Sequence, residues 1–122
     1  MDVKIYRDKA LAPDKCVGRI DDRGKVYKVE LGEDDYIGWI DYEERDIYNA
    51  NDDIIGWVED DGEVIRFLED EEEEIGFVTD EGEIYWYSEG AEEEYFGKLK
   101  GMQDFSEGAA GLLFFLEPEQ ET

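Results

Sequence analysis

Ile55-Gly56-Trp57-Val58-Glu59-Asp60-Asp61-Gly62-Glu63-Val64-Ile65 contains one structural unit of this chain. An apolar stretch is broken by Asp-Asp-Gly and then resumes with aliphatic residues. Gly62 suits the left-handed backbone of a tight turn, and the flanking side chains suit a pleated strand, so the segment reads as a β-hairpin. The pattern recurs. A bulky apolar residue precedes glycine at Val17-Gly18, Ile37-Gly38, Ile55-Gly56, Ile75-Gly76 and Phe96-Gly97, in steps of 20, 18, 20 and 21 residues. Two places beyond each glycine stands Ile20, Ile40, Val58, Val78 or Leu99. A second apolar pair follows the first four: Val26-Tyr27, Ile47-Tyr48, Val64-Ile65 and Ile84-Tyr85. Turn residues separate the two halves, as in Asp21-Asp22-Arg23-Gly24 and Asp80-Glu81-Gly82; only in the unit at 37–50 does Glu44-Arg45-Asp46 replace the turn glycine.

A short unit repeated at near-constant spacing predicts a repeat architecture. Each unit reads as strand, turn, strand, acidic loop. The whole chain, 1–122, is expected to be a single all-β domain with units at about 17–36, 37–54, 55–74 and 75–95. Side chains alternate along a strand, so each glycine shares a face with the aliphatic residue two places on. That face, with Ile20, Ile40, Val58 and Val78, is expected to point inward. The residue after each glycine points outward and reads Arg19, Trp39, Trp57, Phe77 and Lys98.

The two ends complement each other. Val3-Lys4-Ile5-Tyr6 resembles a second strand without a first, and Phe96-Gly97-Lys98-Leu99 a first strand without a second. Pairing 96–100 with 2–7 would turn the row into a closed array of four to five hairpins and remove a sheet edge. An open, linear array is the competing arrangement. The segment 106–116, Ser-Glu-Gly-Ala-Ala-Gly-Leu-Leu-Phe-Phe-Leu, is apolar without a period and stops at Glu117-Pro118. Such a segment must be buried, as helix or as strand. It would plug one end of the array or join two subunits as a homo-oligomer contact.

Iterated apolar-Gly-x-aliphatic, acidic turn and aliphatic-Tyr, followed by the Gly-Ala-Ala-Gly-Leu-Leu tail, resembles the bacterial four-fold β-flower proteins over residues 3–116. The resemblance implies hairpin petals around a pseudo-fourfold axis with an apolar central channel, and implies no activity. A weaker resemblance connects Gly38-Trp39-Ile40 and Gly56-Trp57-Val58, with Gly62 following, to choline-binding repeats. Val64-Ile65-Arg66 and Ile84-Tyr85-Trp86 stand where those repeats carry a Trp-Tyr-Tyr-type run, so the cation cage would be incomplete.

Charge excludes several function classes. Twelve Lys and Arg stand against 37 Asp and Glu, a formal net charge of −25. General electrostatics then disfavours nucleic acid and anionic membrane as partners. Cys16 is the sole cysteine and histidine is absent, which removes an internal disulfide, a thiolate zinc site and the commonest general base. No run approaches the length of a membrane span, and the first residues lack a signal peptide's apolar core, so a cytoplasmic location is expected. The acidic runs 69–74 and 92–94 read as solvated loops without calcium-loop spacing. No carboxylate pair stands out for hydrolytic chemistry.

The expected function is therefore non-enzymatic, with no cofactor or metal. In the leading reading an elongated apolar or amphipathic molecule threads a channel lined by Ile20, Ile40, Val58 and Val78. One alternative is an acidic decoy filling a basic nucleic-acid-binding cleft; another is a choline- or glycan-binding surface module. The stripe Trp39, Trp57, Phe77 is the candidate recognition surface, able to stack on sugars, cations or a partner's rings, or else to cover the hairpins.

Overall fold

The alternation of apolar and polar residues produces ten strands among the described residues: β1 (Val3–Lys9), β2 (Ala12–Ile20), β3 (Lys25–Glu30), β4 (Glu33–Asp41), β5 (Asp46–Asn49), β6 (Ile54–Val58), β7 (Glu63–Leu68), β8 (Glu71–Val78), β9 (Glu83–Tyr87) and β10 (Glu93–Lys100). One helix, α1 (Phe105–Phe115), follows them. The computed structural model describes residues 2–9, 12–87 and 92–115. Leu116, the Glu117-Pro118 stop and residues 88–91 of the fourth unit lie outside the described residues.

Every strand pairs antiparallel with its sequence neighbours, and β1 pairs with β10, so the sheet is a closed barrel. At the closing seam Ile5 lies opposite Leu99 and Tyr6 opposite Lys98. The aliphatic pairs repeat around the ring: Ile20 faces Val26, Ile40 faces Ile47, Val58 faces Val64 and Val78 faces Ile84. The Leu99–Ile5 pair is the fifth of the set. The ring thus holds five hairpins, where the β-flower resemblance implies four, because the terminal strands complete one more.

The apolar-Gly dipeptide has a definite backbone meaning. Val26 pairs with Gly38 while Tyr27 pairs with Tyr36, so Ile37 is an extra residue on its strand. Val17, Ile55, Ile75 and Phe96 are bypassed in the same way. Each dipeptide is therefore a β-bulge, which bends its strand and adds twist, as closing a barrel requires. The bulge also brings the backbones close. A Cβ on Gly38, Gly56, Gly76 or Gly97 would run into the carbonyl oxygen of Tyr48, Ile65, Tyr85 or Tyr6, respectively.

The barrel axis is not an open channel. α1 runs through it, packed against β2 and β4–β10. Ser106 to Leu113 and Phe115 are all buried. The segment that sequence left as helix or strand is a helix, and an eleven-residue helix apolar on every side is stable only inside an apolar enclosure. Its side chains complement the wall. The narrow stretch Gly108–Gly111 lies against the bulky wall: Val78 fills the space beside Gly108, and Ile84, Ile5 and Leu99 that beside Gly111. Wide side chains then meet the wall glycines in order: Leu112 at Gly76, Leu113 at Gly56, Phe114 at Gly38 and Phe115 at Gly18. The helix occupies the axial space between Ile20, Ile40, Val58 and Val78, and of the two places expected for the apolar segment, a plug or a subunit contact, it takes the first.

At the barrel end where α1 begins, three hairpin turns carry left-handed glycines, Gly24, Gly62 and Gly82. Arg45 takes the same place in the second hairpin with φ of 61°. Its carbonyl accepts from Val58 N (3.2 Å), as Gly24 does from Ile40 N (2.9 Å). The missing turn glycine is thus tolerated as a strained left-handed arginine.

Candidate functional surface

Ile20, Ile40, Val58 and Val78 are buried and belong to one core cluster with Ala109, Ala110, Leu112, Leu113 and Phe115 of α1. They form the wall around the helix. With the axis occupied, the groups able to meet a partner lie on the rims and the outer face.

The rim around the start of α1 is a sealed polar junction. Asp104 caps the helix, its Oδ2 accepting from Ser106 N (3.0 Å). Glu107 reaches back, accepting from Gln103 N (2.7 Å) and Asp104 N (3.2 Å), which completes a capping box. Tyr42 donates its hydroxyl to the other Glu107 oxygen at 2.8 Å. Burial and this contact push the Tyr42 phenol above its ordinary value. Arg45 ties the junction to the wall through Asp104 (3.4 Å) and Asp60 (3.2 Å). Glu107 is 6% exposed, and its oxygens are spent on these contacts, so it is a structural carboxylate. A depression of about 410 Å³ lies over it, lined by Val3, Asp21, Asp22, Tyr42, Gln103, Asp104 and Glu107.

The outer face carries rings. Trp39 stacks on Tyr48 with centroids 4.3 Å apart and planes 9° apart, and its Nε1 donates to Asp52 (2.8 Å). Trp57 lies 6.1 Å from Phe67. Phe77 stacks on Tyr85 at 5.0 Å and 10°, with Tyr87 at 6.1 Å from Phe77 and Tyr95 at 5.5 Å from Tyr85. The predicted stripe Trp39, Trp57, Phe77 is therefore not one continuous surface of its own. Trp39 and Phe77 each stack on the residue directly opposite across their hairpin, and the rings of the second strands widen the stripe into separate patches. The tyrosines 48, 85, 87 and 95, which sequence reasoning did not select, supply much of this face; the aliphatic-Tyr half of the repeat was their signal.

The first hairpin fills the equivalent position differently. Arg19, the counterpart of Trp39 and Phe77, lays its guanidinium over Tyr27, 4.2 Å from the ring centroid. Asp34 and Asp2 hold that guanidinium at 2.6 and 2.8 Å.

Carboxylates crowd the fourth patch. Glu63 lies directly opposite Phe77, and Glu93 opposite Tyr87. Tyr87 donates its hydroxyl to Glu63 at 3.1 Å. Partial burial and the nearby Glu74 carboxyl hold Glu63 above its ordinary value, although the Tyr87 bond opposes the shift. Burial and Glu63 in turn push Tyr87 up to about 12. Among the described residues no group of three or more carboxylate or thiol side chains could hold a metal ion. Cys16 is half-buried, with its thiol 3.6 Å from the Gly18 carbonyl oxygen. No helix among the described residues is long and apolar enough to cross a membrane. No family model matches the chain, and neither a curated protein nor a solved structure matches it.

Proposed function

We propose that this protein is a non-enzymatic acidic binding module that engages a basic partner through its outer surface, in the manner of a decoy for a basic nucleic-acid-binding cleft. The observation that carries this reading is the division of labour in the barrel. The chain's own helix takes the lumen, so recognition falls to an exterior bearing most of a net charge of −25. A closed β-barrel holds those carboxylates on a rigid frame, and a fixed array of negative charge raises the local concentration of a basic partner. The test uses a labelled DNA duplex bound to an oligolysine peptide. The protein is expected to release the duplex, with apparent affinity falling roughly tenfold between about 50 and 200 mM salt. Failure to release it at low salt, or release independent of salt, overturns the reading.

A further inference from the structure

We propose that the patch formed by Phe77, Tyr87, Glu63 and Glu93 is an arginine-docking site for a basic protein segment. The proposal rests on the reading of a basic partner given above and names the side chain that would dock and the place where it would do so.

The chain already builds one such site internally. Arg19 lies flat over Tyr27 while Asp34 and Asp2 hold its edge. A guanidinium suits this arrangement because it is planar, weakly hydrated and forked: it stacks on a ring and donates to carboxylates at the same time. The fourth hairpin places Glu93 where Asp34 stands in the first and adds Glu63 beside Phe77, but Phe77 takes the place of Arg19, so the cation is not supplied from the equivalent position. Phe77 stacks one face on Tyr85 and meets Tyr87 at 42°, which makes a corner between the Phe77 and Tyr87 rings. Glu63 closes the corner, held there by the Tyr87 hydroxyl. Glu93, exposed and directly opposite Tyr87, stands at its edge. The Glu74 carboxyl helps to hold Glu63 above its ordinary value, a repulsion that an incoming cation relieves. An ammonium group would gain the charge attraction but neither the stacking nor the forked hydrogen bonds, so the site selects arginine over lysine.

Calorimetric titration with ten-residue oligoarginine and oligolysine peptides tests this. The oligoarginine is expected to bind at least fivefold more tightly. Glu93→Gln should weaken oligoarginine binding several-fold, whereas Glu33→Gln, an identical charge change on an exposed strand residue elsewhere, should leave it within twofold. Phe77→Leu should abolish the preference for arginine; should that variant fail to fold, the two glutamate variants still decide. Equal affinity for the two peptides, or equal losses in Glu93→Gln and Glu33→Gln, overturns the site while leaving the basic-partner reading in place. Absence of binding by either peptide at low salt overturns both.

Discussion

The two halves of α1 solve one packing problem in inverse ways. In Gly108–Gly111 the helix is thin and the wall supplies the bulk, with Val78, Ile84, Ile5 and Leu99 reaching inward. In Leu112–Phe115 the helix supplies the bulk and the wall recedes to glycine. The difference lies in what stands behind each small residue. Behind a wall glycine is a neighbouring strand's backbone, which cannot move without breaking the sheet. Behind a helix glycine is a side chain, which can be shortened. The same added methyl group should therefore have different and separately reversible consequences at the two levels.

The largest effect is expected at the wall. Gly76→Ala sets a methyl group against the Tyr85 carbonyl oxygen and the Leu112 side chain. It should cost about 3 kcal/mol in urea unfolding, at the upper end for overpacked cores. Adding Leu112→Ala should not restore stability, because the carbonyl remains. A restored double variant would show that the helix, and not the strand pairing, sets the limit.

Gly108→Ala comes next. Its methyl group would lie 2.5 and 2.8 Å from the two Val78 methyls. Valine is stiff about its first torsion and gives way poorly. The overpacking cost of about 1–3 kcal/mol is partly offset by alanine's helix preference of about 1 kcal/mol. The net loss is expected near 1 kcal/mol, and in a Val78→Ala background the substitution should become neutral or stabilising. Persistence of the penalty in that background would contradict the contact just described.

The smallest effect belongs to the junction below the thin half. Tyr42→Phe removes the donor to one oxygen of buried Glu107 and should cost about 0.5 kcal/mol, the low end for a lost hydrogen bond, measured as a fall in melting temperature. The remaining backbone bonds to Glu107 limit the damage. An unchanged melting temperature would mean that water replaces the hydroxyl without cost.

Much of the architecture is legible in sequence because it rests on local chemistry repeated many times. Turn residues announce the hairpins, the alternation assigns faces, and the unmatched ends at Ile5-Tyr6 and Gly97-Leu99 point to closure. The bulges were not legible. Ile37 looks like any strand residue, and its extra status exists only relative to Val26 and Tyr27 on the adjacent strand. The helix was hidden for a similar reason, since an apolar run without a period is equally compatible with helix or strand until its enclosure is known. One local signal was present, the spacing of Asp104 and Glu107 that marks a capping box ahead of the apolar run. On the outer face, the position after each glycine was readable, but the patches also needed cross-strand partners such as Tyr85 and Tyr87.

The position of α1 in the chain sets the order in which this fold can be made. Every strand leaves the ribosome before the segment that fills them. For that interval the nascent chain carries ten strands and no completed interior, a state rich in unpaired edges and apolar faces. The acidic residues leading into the repeats, such as Asp34-Asp35 before Ile37-Gly38 and the glutamates before Ile75-Gly76, place like charges beside those edges. Mutual repulsion then keeps unfinished chains apart until α1 docks. By this logic the same surface charges also guard the chain while it is being made.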